Sequence, residues 1–328
     1  MKKISREELN EMLVQHELWL NNEGGKQLNL EDVDLRDFNL RYANLEYANL
    51  RNADLRNADL RYANLEWVNL NNADLNDADL RNANLEGANL INVDLRYANL
   101  EWANLNNANL RNANLEYANL RNADLNDANL INVDLRYANL EDANLNNADL
   151  NDANLRYANL EYANLRNANL INANLINANL RNANLRNADL RYANLEWANL
   201  NNANLINANL EYVKINHLTI GYHLACPEEG SFIGYKKANG CLVKLLILED
   251  SKRSSATSMK CRCDKAKVLD IIDLMTNEKI DRTKSDYDNE FFYKVGEIVQ
   301  VEDFDEDRWN ECTIGIHFFM NKENAIKY

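Results

Sequence analysis

The stretch RYANLEWANLNNANLINANL at residues 191–210 nearly repeats RYANLEWANLNNANLRNANL at 96–115, and the five-letter unit inside both decides the fold. Leu occupies every multiple of five from Leu30 to Leu210, 37 times without an insertion, and Ile215 and Ile220 extend the expected register to 39. Two residues before each Leu the position is small or apolar: mostly Ala, otherwise Leu28, Val33, Phe38, Val68, Val93, Val133, Val213 and Leu218. Two positions in five therefore face inward. A period of five matches neither the helical turn nor the two-residue alternation of a long strand. A short unit of fixed length instead implies a solenoid, in which each repeat buries its apolar face only against its neighbours.

The blocks from residue 26 to 210 carry A(N/D)LXX, for instance Ala43-Asn44-Leu45 and Ala188-Asp189-Leu190, and in this motif the chain resembles the pentapeptide-repeat family. The resemblance implies an all-β solenoid: a right-handed quadrilateral β-helix with four repeats, or 20 residues, per coil. At an inter-strand spacing of roughly 4.8 Å, the 39 expected repeats give about ten coils and a rod roughly 45–50 Å long. In that fold Leu fills the axis and Ala lets the walls approach. Asn or Asp before each Leu suits the corners, because these side chains bond nearby backbone groups in turns.

A coil of this length turns sequence spacing into columns. RYANLE places an Arg and a Glu five apart, as in Arg41/Glu46, Arg61/Glu66 and Arg156/Glu161, which reads as a corner ion pair. Glu46, Glu66 and Glu86 stack as like charges, a cost that the column of Arg41, Arg61 and Arg81 compensates. Tyr97, Tyr117, Tyr137 and Tyr157 fall on one wall in successive coils, and Trp197 resumes the column after Asn177. Such aromatics can stack to stabilise a sheet, and when exposed they also make a favoured partner surface. Ile91, Ile131 and Ile171 form another outward column, joined toward the C-terminal end by Ile176 and Ile206; apolar side chains in a coat of Asn, Arg and Asp call for a cover. The candidate interaction surface is therefore Tyr97, Tyr117, Tyr137, Tyr157, Trp197, Ile171, Ile176 and Ile206.

A stack of coils has open backbone edges at both ends. Residues 1–25 read as an N-terminal capping helix: Ser5-Arg6-Glu7-Glu8 is a capping box, Leu9, Met12, Leu13, His16 and Leu20 share a face, and Gly24-Gly25 is the expected stop. His16 reads as a packed or rim histidine rather than a ligand. The repeat register, assigned to 26–221, dies at GYHLACPEEG, which holds the chain's one proline, Pro227. Residues 222–328 read as a small α+β domain with strands in CLVKLLILED (241–250), KVGEIVQV (294–301) and GIHFF (315–319), and a terminal helix in NKENAIKY (321–328) with Asn321 as N-cap. Its segments KRSSATSMKCRCDKAKVL, YKVGEIV and FDEDRWNECTIGIHFF resemble a C-terminal domain that follows pentapeptide repeats in other bacterial and phage proteins; that resemblance implies no activity. The domain is expected to cover the last coil and serve as a docking module.

A net charge of −15 disfavours direct nucleic-acid binding, which needs clustered Lys and Arg. No stretch approaches the run of about 20 apolar residues that a membrane helix requires, and MKKISREELNEMLVQHELWL lacks a signal-like apolar core, so a cytoplasmic protein is expected. The five cysteines, all beyond residue 220, read as reduced thiols. Cys261-Arg262-Cys263 with Cys226, Cys312 and His317 lacks the second matched pair of a zinc site and reads as buried strand cysteines. Cys312 and His317, set apart across Gly315, need not meet as nucleophile and base. SKRSSATSMKCR suits a solvated loop, with anion binding as the other reading.

The expected function is a non-enzymatic scaffold for a protein partner or a second copy of itself, without metal or cofactor. One alternative is a DNA mimic acting on a type II topoisomerase, since some pentapeptide-repeat relatives protect or inhibit gyrase. Against it, residues 26–210 set 16 Lys and Arg among 25 Asp and Glu. The other alternative is a transferase-like or metal-dependent activity in 222–328. GIHFFMNKENAIKY is similar to the strand and helix near the end of ADP-ribosyltransferase-like folds, but no NAD-gripping motif or catalytic Glu accompanies it.

Overall fold

The computed structural model describes residues 1–310 and 312–328. The chain divides into two units, Met1–Ile220 and Gly221–Tyr328.

In the first unit each repeat makes the same turn. At Leu50–Ala53 the Ala53 N–H donates to the Leu50 carbonyl (3.1 Å), and Asn52 takes φ 58°. A positive φ at the third turn residue is what a type II turn demands. Asn49, just before the turn, accepts from the Arg51 N–H through its side chain (3.2 Å). This is the corner role the sequence assigns to Asn. Between turns, parallel bridges join residues twenty apart, from Asn29↔Asn49 to Asn194↔Lys214. The bonds of one rung are Leu50 N–H to Asn69 O (2.8 Å) and Asn69 N–H to Ala48 O (2.9 Å). Four five-residue repeats thus make one coil. The Asn amides add a second ladder, Asn69 Nδ2 to Asn49 Oδ1 and Asn89 Nδ2 to Asn69 Oδ1, each 3.2 Å. Leu and Ala fill the interior from Ala48 and Leu50 through Ala203 and Leu205, all buried. Each Leu so buried contributes about 1.5–3 kcal/mol.

The register does not run through Ile220 as the spacing predicts. Asn199 bridges to Ile220, one residue beyond the regular step, and Ile220 is 55% exposed. Thr219 takes the inward place, its hydroxyl donating to the Leu195 carbonyl (3.0 Å). The cause is a turn that starts one residue late: Thr219 N–H donates to Asn216 O (3.0 Å), and Asn216 N–H to Thr219 Oγ1 (3.2 Å).

At the other end, β1 (Lys2–Lys3) is followed by α1 (Arg6–Leu20), and β1 pairs in parallel with β2 (Val33–Asp34). The sequence reading missed β1. The capping box of α1 is formed as expected, Glu8 N–H to Ser5 Oγ (3.1 Å) and Ser5 N–H to Glu8 Oε2 (3.2 Å). Leu9 and His16 are buried; Met12, Leu13 and Leu20 are half-buried. His16 Nδ1 accepts from the Leu28 N–H (3.1 Å), and its ring stacks on Trp19. It is a packed histidine, and the bond it accepts fixes it neutral. The helix ends before Gly24-Gly25, because Asn21 caps it and Asn22 already turns to φ 58°.

The second unit is sheet-rich. Its strands are β3 (Phe232–Ala238), β4 (Cys241–Ile247), β5 (Arg253–Ser255), β6 (Cys261–Cys263), β7 (Lys265–Asp273), β8 (Arg282–Lys284), β9 (Phe292–Lys294), β10 (Ile298–Gln300) and β11 (Ile316–Phe318), followed by the short helix α2 (Lys322–Lys327). They form antiparallel sheets in the orders β10-β7-β4-β3, β11-β6-β5 and β8-β9. Val243, Leu245, Ile247, Cys263, Val268 and Phe318 share its core. Gly234 lets Phe318 lie on β3, since a Cβ there would stand 2.6 Å from the ring.

The solvated-loop reading of SKRSSATSMKCR is overturned. Ser251, Ser254, Ser255, Thr257, Lys260 and Arg262 are all buried, and the stretch supplies β5 and part of β6. Two of its hydroxyls serve backbone groups instead of water: Ser251 Oγ donates to Lys265 O (2.9 Å), and Ser255 Oγ accepts from the Ala225 N–H (2.8 Å). Arg262 likewise donates to the carbonyls of Asp305 (2.5 Å), Asp307 (2.5 Å) and Ile314 (3.3 Å).

Candidate functional site: a tyrosine corner and a cleft

The third residue of each turn carries the aromatics. It has positive φ from Asp32 to Tyr212, and Asn, Asp, Gly, Tyr and Trp are the only types found there. Asn, Asp and Gly suit this conformation; for other residues it costs roughly 1–2 kcal/mol. Tyr97, Tyr117, Tyr137 and Tyr157 offset the cost by stacking on one another, with centroids 5.2, 4.8 and 4.9 Å apart and rings within 5° of parallel. Such stacking contributes about 0.5–1.5 kcal/mol per pair. All four rings remain about half exposed. Burial of the Tyr117 phenol between its neighbours pushes its pKa up, and Tyr137 and Glu116 act in the same direction.

The eight expected surface residues do not form one patch. Ile176 follows the tyrosines at the same corner, its carbonyl accepting from the Tyr157 N–H (3.0 Å), and Trp197 sits one coil further. Ile171 and Ile206 stand at other corners, beside Asp152 and Asn187. All three isoleucines are half-buried rather than exposed, because their backbone lies inside the ladder. The sequence reading overlooked shorter stacks at Tyr42–Tyr62 (5.2 Å) and Tyr192–Tyr212 (5.0 Å). It also passed over Gly87, which has φ 64° and leaves room for Trp67, whose ring lies 2.5 Å from where a Cβ would stand.

The RYANLE ion pair does not form within its motif. Arg61 bonds Asp59 two residues back (2.6 Å), and Arg96 and Arg136 do the same with Asp94 (2.6 Å) and Asp134 (2.7 Å). Glu161 is met instead by Arg181, one coil on. Five residues carry the chain to the next corner, whereas two or twenty keep it at the same one. The Arg61 guanidinium holds the Asp59 carboxyl below its ordinary pKa. The stacked glutamates are steadied by amides: Asn64 Nδ2 reaches Glu46 (3.4 Å) and Asn84 Nδ2 reaches Glu66 (3.4 Å).

The second unit holds a cleft of about 590 Å³ that the sequence did not disclose. Lys236, Lys260, Cys312, His317 and Tyr328 line it. Cys312 and His317 thus share one cavity, although their spacing gave no reason to bring them together. Cys226, Cys241, Cys261 and Cys263 are buried, whereas Cys312 is exposed. Cys261 and Cys263 lie on β6, as expected; Cys312 is on no strand. Among the described residues no three His, Cys, Asp or Glu side chains gather as a metal site, and no helix is long and apolar enough to cross a membrane.

Pentapeptide repeats match at residues 39–77, 73–112, 108–147, 148–187 and 188–218, more than half of the sequence. The chain belongs to the pentapeptide-repeat family, whose members fold as a right-handed β-helix. A family of unknown function (DUF5758) matches residues 222–325. No curated protein matches the chain. Among solved structures it is similar to HetL, a pentapeptide repeat protein involved in heterocyst differentiation regulation from the cyanobacterium Nostoc sp. strain PCC 7120, at 34% identity over 64% of this chain and 94% of that one, with a TM-score of 0.34. QnrB1, a plasmid-mediated fluoroquinolone resistance protein, aligns at 15% identity over 58% and 93%, with a TM-score of 0.28.

Proposed function

We propose that this chain is a non-enzymatic protein-interaction scaffold of the cytoplasm and that the tyrosine corner is its docking face. In this reading α1 caps a rod of about ten coils spanning 26–221, and 222–328 is a separate module. The observation that carries it is the choice of residue at positive φ. Asn fits that position without strain and ladders equally well, as Asn112 Nδ2 to Asn92 Oδ1 does (3.2 Å). The fold therefore has no need of tyrosine at 97, 117, 137 and 157. Exposed aromatics held rigidly at low entropy cost are what protein interfaces select. DNA mimicry fits less well, because the Arg–Asp pairs interrupt the acidic coat that would have to imitate phosphate. Gyrase supercoiling is expected to be unaffected at micromolar protein.

The test is photo-crosslinking in cells from p-benzoylphenylalanine placed at Tyr117 or Tyr137, compared with Asn112 or Asn132 on another corner. One adduct of defined mass from the tyrosine positions alone is expected. Equal adducts from both corners, or none, would sink the reading.

A further inference from the structure

The cleft of the second unit supports a conclusion independent of the tyrosine corner. Lys260, buried just ahead of β6, donates through Nζ to Tyr328 Oη (3.1 Å) and lies 3.4 Å from Cys312 Sγ. Lys236, midway along β3, lines the same cleft, and its ammonium makes no hydrogen bond or ion pair among the described residues. Burial pushes its pKa down, Asp286 opposes that and Lys260 adds to it. Asp286 is itself engaged, accepting from the Asn239 N–H (2.7 Å). A desolvated ammonium without a bonded counter-charge favours an anion that enters beside it. The walls are aromatic, with Phe291 and Tyr293 packed edge to face at 5.3 Å. Ser285 and Asp288 add neutral and acidic hydrogen-bonding groups that suit a sugar. The volume lies in the range of small-molecule sites and far exceeds a lone phosphate.

We propose that this cleft binds a nucleoside monophosphate, with its phosphate toward Lys236 and Lys260 and its base against Phe291. Cys312 provides the reporter, since it lines the cleft and the other four cysteines are buried. In the full-length protein, saturating adenosine 5′-monophosphate should slow alkylation of Cys312 by iodoacetamide about tenfold, read by mass spectrometry. Adenosine alone and inorganic phosphate alone should each protect much less. Lys236→Met should abolish the protection and Lys236→Arg should retain it, with near-ultraviolet circular dichroism confirming the fold. Should Lys236→Met fail to fold, equilibrium dialysis of the unaltered chain decides, and no binding at about 1 mM nucleotide ends the proposal. An unchanged alkylation rate, equal protection in folded Lys236→Met, or full protection by phosphate alone would each overturn it.

Discussion

The two units anchor an arginine in different ways. In the β-helix a paired arginine lies at the surface and finds its acid by a local rule, two residues back or one coil away, as Arg136 does with Asp134 and Glu116. In the second unit Arg262 is buried and held by carbonyls more than forty residues distant in sequence. The repeat makes each contact many times, so losing one is a local event. The second unit makes each contact once, and losing one disturbs everything it ties down.

The largest effect is expected at Arg262. Arg262→Ala removes a buried side chain and its charge-assisted hydrogen bonds to three carbonyls, about 3–5 kcal/mol, and urea unfolding of the second unit should show it. Leu125→Ala opens a cavity at the axis of the rod and should cost about 3 kcal/mol by the same measurement. A larger loss at Leu125 than at Arg262 would break the comparison. Gly87→Ala meets both a positive φ and the Trp67 ring; about 1–2 kcal/mol is expected, with a shift in tryptophan emission.

His16 offers a pH test at the first end of the rod. Burial lowers its pKa, with a smaller opposing pull from the Glu46 backbone. The unfolded chain therefore takes up the proton more readily, so the stabilisation is complete above the ordinary histidine value of about 6.5 and is lost as pH falls below it. The protection factors of the α1 amides, which are exchange rates corrected for their intrinsic pH dependence, should fall on acidification in the native chain and stay flat in His16→Phe. The smallest effect is expected at Asn106→Ala, under about 1 kcal/mol. That side chain bonds Asn104 (2.7 Å) and Asp124 (3.0 Å) at a surface that water can satisfy. Equal losses at Asn106 and Leu125 would undo the assignment of inward and outward positions.

The same contrast decides what could be read from sequence. Leu30 to Leu210 were legible because inward placement there follows from spacing alone. The slip at Thr219 was not, since it depends on an Asn216–Thr219 turn that competes with the repeat. Ser254, Ser255 and Thr257 read as solvated because composition does not reveal that their neighbours are buried. The tyrosine column was visible as a twenty-residue spacing, but its left-handed backbone and the separation of Ile171 and Ile206 were not. Lys236, Lys260, Cys312 and His317 reach one cleft from three places in the chain, and no local pattern marks that.

The left-handed corner also bears on how such a surface changes over generations. Asn, Asp and Tyr, the commonest residues there, have codons that differ only in the first base. A single nucleotide change can therefore write an aromatic or an acid onto one corner of one coil, or erase it. The axial leucines and the backbone ladder do not register the edit. The rod is thus a tape whose outer track can be rewritten one letter at a time while its spool stays fixed.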